Sequence, residues 1–103
     1  MNERPVPEAA LEDENSVEML RVWIAAKALH CSMKVGLYKE TSRISEEKAW
    51  GVILADVARH LSKALESGYG VDARIALSAI REGFNDELNE PTSDVDGGFL
   101  TRN

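Results

Sequence analysis

The sequence predicts an α+β domain: a two-stranded antiparallel hairpin followed by two amphipathic helices packed on one face of it, the sheet being open to completion by a second copy of the chain. Three observations carry that expectation. Apolar and polar residues alternate through residues 17–38, apolar residues recur at helical spacing between residues 45 and 90, and a helix cap stands in front of each helical run.

The first strand is expected over Val17–Ala25, where Leu20, Val22 and Ile24 share one side and Met19, Arg21 and Trp23 the other. From Leu29 the alternation is cleaner. Leu29, Cys31, Met33, Val35 and Leu37 fall together, opposite His30, Ser32, Lys34 and Tyr38 with Gly36. Ala26–Ala28 connects the runs without the Asn-Gly or Gly-Gly of a strong hairpin turn. A helix over residues 17–30 is the rival, because Leu20, Trp23, Ile24 and Ala28 also fit helical spacing. The second run nevertheless needs a strand partner, and the first run is nearest. A two-stranded ribbon is marginal alone and leaves two open edges, which makes a homodimer the expected assembly.

Ser45 is the expected N-cap of the first helix, with Glu46 and Glu47 placing negative charge in its first turn. Its stripe is Trp50, Ile53, Leu54, Val57, Leu61 and Leu65, and Gly68 is expected to end it. Asp72 caps the second helix, whose stripe is Ala73, Ala76, Leu77, Ile80, Phe84 and Leu88, with Pro91 closing it. Gly51 and Gly83 lie inside these helices at a cost of about 1 kcal/mol each relative to alanine, which close backbone packing would explain. The domain organisation is then an acidic, extended leader over residues 1–16, one folded unit over 17–90 and a flexible acidic tail over 91–103. Ala9, Ala10 and Leu11 in the leader could form one helical turn.

Composition narrows the function classes. With 44% hydrophobic and 29% charged residues in 103, the chain suits one small folded domain. Only 6% of the residues are aromatic and the net charge is -6, both poor for base stacking and phosphate binding. The charge is uneven, however: residues 1–18 carry -5, residues 19–81 carry +4 and residues 82–103 carry -5. No apolar run approaches the roughly 20 residues that cross a bilayer, and none resembles a signal-peptide core. Cys31 is the single cysteine, so no internal disulfide forms and a reducing cytoplasm is the expected location.

Asp56 and His60 stand four apart on the first helix with Arg59 between them, a spacing that lets a carboxylate orient an imidazole for acid-base work. A boundary ion pair is the simpler account, since no third convergent group is evident. On the hairpin, Arg21, Trp23, His30, Ser32, Lys34 and Tyr38 are expected to share a polar, basic, partly aromatic face. Protein contact ranks first for it, a solvated face second, and an anion or RNA third. Cys31 is expected on the opposite, helix-facing side as a small buried hydrophobe. Asp94, Asp96 and Gly97 imitate part of a calcium loop but lack its bidentate glutamate. Glu82, Asp86 and Glu90 form an acidic stripe disfavoured at a helix C-terminus. No zinc-spaced cluster or catalytic elbow is present, so neither metal nor cofactor is expected.

Several stretches resemble a small bacterial family, the domain of unknown function DUF5076: Leu20-Arg21-Val22-Trp23, Leu29-His30-Cys31-Ser32, Ala49-Trp50-Gly51, Ala55-Asp56-Val57-Ala58-Arg59-His60, Ile80-Arg81-Glu82-Gly83-Phe84 and Pro91-Thr92. The resemblance covers most of the chain in order. It departs over Lys39–Lys48, which holds no proline where the family passes through an acidic, proline-containing link. The family implies no activity or site residue. The expectation is a non-catalytic cytoplasmic interaction module acting as a homodimer, with an anion or RNA binder second and an Asp56/Arg59/His60 enzyme third.

Overall fold

The computed structural model describes residues 1–38 and 43–92. The elements run α1 (Glu8–Glu12), β1 (Leu20–Ala25), β2 (Ala28–Met33), α2 (Glu46–Tyr69) and α3 (Ala73–Asn89). This is the expected α+β order. The leader is not wholly extended, because Glu8–Glu12 closes one helical turn after Pro7. The calcium-loop imitation at Asp94, Asp96 and Gly97 lies outside the described residues, as does the rest of the tail beyond Thr92.

The strands pair antiparallel, with Leu20 opposite Met33, Val22 opposite Cys31 and Ile24 opposite Leu29. Directly opposed residues share a face, so this register gathers six apolar side chains on one side. Arg21 opposite Ser32, Trp23 opposite His30 and Ala25 opposite Ala28 make the other. The rival helix over residues 17–30 is therefore not formed. The connection is a two-residue loop, Ala26 and Lys27, with φ of 50° and 61°. Positive φ at both positions is the type I′ signature that matches strand twist. Alanine and lysine adopt it against their own sterics, at about 1–2 kcal/mol each.

Both strands are shorter than the alternation suggests. The Lys34 amide donates to the Met19 carbonyl at 3.0 Å, and there the ladder ends. Val35, Leu37 and Tyr38 leave the sheet through Gly36, whose φ is 100°. The reason is a stronger partner. The Glu46 carboxylate, in the first turn of α2, accepts from the Gly36 amide at 2.8 Å, the Tyr38 amide at 2.9 Å and the Trp50 indole Nε1 at 2.9 Å.

The caps form as expected: the Lys48 amide donates to Ser45 Oγ at 3.2 Å, and the Arg74 amide to Asp72 Oδ1 at 2.8 Å. The end of α2 comes two residues later than Gly68. Gly70 takes φ 72° there and its amide donates to the Glu66 carbonyl at 3.0 Å, because the left-handed position needs glycine and Gly68 is still helical. Glu66 also reaches across the turn to accept from the Ala73 amide at 3.2 Å.

The helices pack on each other, and neither strand packs on α2 or α3. This corrects the expected covering of one sheet face by both helices. The large-residue stripe of α2 is not the seam either. Gly51, Leu54, Ala55 and Ala58 line the side of α2 that faces α3, and the helices are buried at the small residues Ser62 (2% exposed) and Ala76 (5% exposed). Small residues allow backbones to approach, and of the large-residue stripe Val57 and Leu61 stay exposed. Ser62 satisfies its hydroxyl by donating to the Ala58 carbonyl at 2.9 Å. Gly51 and Gly83 are not explained by close packing, since a Cβ at either would meet nothing within 4 Å.

Stability should respond accordingly at two places. Glu46→Ala strands three donors and is expected to cost about 2 kcal/mol, read as a fall of roughly 8–16 °C in thermal midpoint, while Glu47→Ala in the same turn changes it by a few degrees at most. Replacing Ala26-Lys27 by Asn-Gly should raise the midpoint by roughly 4–8 °C, because the new pair adopts the turn with less strain while glycine's freedom in the unfolded chain offsets part of the gain.

Candidate interaction surface

Among the described residues, neither half of the chain buries its large apolar side chains. Among the described residues the buried ones are Ala49, Ser62 and Ala76, and no large side chain is fully enclosed. On the hairpin, Ile24 is 75% exposed and Val22 and Met33 are also open, with Leu20, Leu29 and Cys31 half-buried on the same face. The alternation places Cys31 under the helices. It instead lies on this uncovered face, opposite Val22, because the helices do not reach the sheet.

The helical half has a matching exposure. Closed at Ser62 and Ala76, the α2–α3 pair opens into a groove of about 420 Å³ whose walls are Gly51, Leu54, Ala55 and Ala58 on α2 and Leu77, Ile80 and Phe84 on α3. The N-terminal half of α2 thus faces the C-terminal half of α3, an antiparallel pair. Arg59, Arg81 and Asn85 stand at the same groove. Phe84 is 50% and Leu88 67% exposed, continuing the apolar wall along α3.

The polar hairpin face is already occupied from within. Arg21 donates to Glu18 at 3.0 and 3.1 Å and to Glu3 at 2.7 Å, so the leader is tied alongside β1. Hydrogen bonding to Glu18 and its charge, followed by Glu3, raise the Arg21 pKa above its ordinary value. Its positive charge is thereby matched locally. His30 Nε2 lies 3.1 Å from the Ala25 carbonyl, positioned to donate to it. By register Trp23 and Ser32 share this face, and Lys34 continues it one step beyond the ladder. Tyr38 does not join them, since its amide is bound to Glu46 at the start of α2.

Asp56, Arg59 and His60 do come together. Arg59 Nη2 donates to Asp56 Oδ1 at 2.8 Å, and His60 Nδ1 is 2.8 Å from the Asp56 carbonyl and 3.6 Å from Asp56 Oδ2. The His60 side chain is 78% exposed, so the imidazole closes one helical turn in open solvent, with no enclosure to hold a substrate. Among the described residues no group of three His, Cys, Asp or Glu side chains could hold a metal. No helix of the described residues is long and apolar enough to cross a membrane. The Glu87 carboxylate accepts from the Thr92 amide at 2.6 Å and hydroxyl at 3.0 Å, holding the chain just beyond α3. The role of Glu46 is invisible in the sequence beyond a favourable first-turn charge. Its signal, a tryptophan four residues on, reads equally as a core residue.

Known proteins resemble the chain in two ways. A solved structure from the photosynthetic bacterium Rhodopseudomonas palustrus CGA009, provisionally described as a pyruvate dehydrogenase, superposes with a TM-score of 0.62 at 24% identity, covering 91% of this chain and 90% of that one. At that identity the likeness is one of fold. The search of curated proteins finds no match. The family model for a domain of unknown function, DUF5076, matches residues 3–92, which takes in the hairpin, both long helices and the Glu3 that anchors the leader, and the chain belongs to that family.

Proposed function

We propose that the chain is a small, non-catalytic interaction module of the cytoplasm whose working form is a homodimer. The observation that carries this reading is the pair of uncovered apolar surfaces: one hairpin face made entirely of Leu20, Val22, Ile24, Leu29, Cys31 and Met33, and the helical surface of Leu54, Val57, Leu61, Phe84 and Leu88. Enclosing a large aliphatic or aromatic side chain is worth roughly 1.5–3 kcal/mol. Among the described residues none is fully enclosed, which leaves much of the main source of folding free energy unused, and association with a second copy would recover it.

The two other readings lack a feature of that weight. An anion or RNA site on the hairpin would need Arg21, which Glu18 and Glu3 already neutralise. An enzyme built on Asp56, Arg59 and His60 would need a pocket around His60.

Light scattering on the eluting protein at micromolar concentration should give about twice the 11.4 kDa of one chain, and the thermal midpoint should rise with protein concentration. A species of single-chain mass with a concentration-independent midpoint would contradict the dimer. His60→Ala should leave stability within about 0.5 kcal/mol of the parent and leave dimer formation unchanged, as expected for an exposed surface position.

A further inference from the structure

We infer that the dimer is an exchange: the apolar hairpin face of each copy seats in the α2–α3 groove of the other. The inference rests on the dimer reading and says which surfaces meet. Three arrangements could join two copies through the exposed faces. Hairpin against hairpin would leave Leu54, Val57, Leu61, Phe84 and Leu88 in water. Helices against helices would leave Val22, Ile24 and Met33 bare. Hairpin against groove covers the hairpin face together with the groove walls Leu54, Leu77, Ile80 and Phe84, and two-fold symmetry makes the contact twice, since each copy offers one hairpin and one groove.

Dimensions favour the same arrangement. A ribbon of two six-residue strands is about 20 Å long and about 10 Å wide, presenting on the order of 200 Å² of flat face. Counted on both partners, one face-to-face contact of that size is about 400 Å², a third of the roughly 1,200 Å² of accessible surface that a stable interface buries. Exchange doubles the contact. It also reconstructs between chains what the α+β order leads one to expect within one chain, helices lying against a sheet.

Two local features fit a seated hairpin. Gly51 lines the groove with open space where a side chain would be, and so leaves room for an incoming backbone or side chain. The groove carries Arg81, while the hairpin brings with it the leader carboxylates that lie outside the Arg21 pairs, Glu8, Glu12, Asp13 and Glu14. Opposite charge at the edge of an apolar contact favours its register and speeds encounter.

Complementation between two variants tests this. Ile24→Asp spoils the hairpin face and Phe84→Asp spoils the groove, both at exposed positions of the single chain. Each variant alone should dimerise roughly a hundredfold more weakly or worse, the consequence of burying an unpaired carboxylate twice per dimer. Mixed in equal amounts and co-refolded, the two should recover a heterodimer at concentrations where neither pairs with itself, seen by native mass spectrometry. In that heterodimer the intact hairpin of the Phe84→Asp chain enters the intact groove of the Ile24→Asp chain. Co-refolding keeps the result readable even where a variant alone loses its fold. Wild-type dimerisation by the Phe84→Asp chain would point to hairpin-on-hairpin contact and by the Ile24→Asp chain to helix-on-helix contact, and either overturns the exchange. A mixture in which the heterodimer forms no better than either homodimer, at any concentration up to that at which the homodimers appear, overturns it too. A monomeric wild-type chain would instead remove the dimer itself.

Discussion

The Glu46 carboxylate joins the two halves of this protein. Standing in the first turn of α2, it accepts hydrogen bonds from the Gly36 and Tyr38 amides and from the Trp50 indole. A charged acceptor at a helix N-terminus is favourable in itself, because it meets the positive end of the helix dipole. Here the same charge also captures the chain as it leaves β2. The strand therefore stops at Met33, where an alternation continuing to Leu37 would have carried it further. The hairpin is in consequence tethered to the helices at its exit but not laid upon them.

That tether divides the apolar residues into two sets that do not meet within one chain. The helices are buried against each other at small residues, Ser62 and Ala76, while Leu54 and Phe84 line an open groove between them and stay exposed. The hairpin collects all its large aliphatic side chains on one face and turns its polar face toward the acidic leader. Charge obeys the same division. The acidic ends flank a body with a net charge of +4, and part of that positive charge is already matched by the leader through Arg21.

The family match and the 0.62 TM-score agree that this hairpin-and-two-helix arrangement is shared beyond the present chain. What the likeness shows is the arrangement. The groups with chemical potential, His30, Cys31, Asp56 and His60, are each engaged locally or left open to solvent.

Helices, caps and strand faces are legible in the sequence because each is decided within one or two turns of chain. Ser45 and Asp72 cap by reaching two or three residues ahead. The faces of β1 and β2 come from alternation alone. The hairpin turn is harder to read, since Ala26 and Lys27 adopt a conformation that their own preferences oppose and strand pairing imposes. Gly70 in place of Gly68 as the stop of α2 turns on which glycine takes the left-handed position. Tertiary structure decides the rest: the capture of residues 36–38 by Glu46, the small-residue seam, and the separation of hairpin from helices. Those features depend on how closely two backbones can approach and on which distant donor reaches a carboxylate first. Periodicity along a single chain reports a face but not what that face meets.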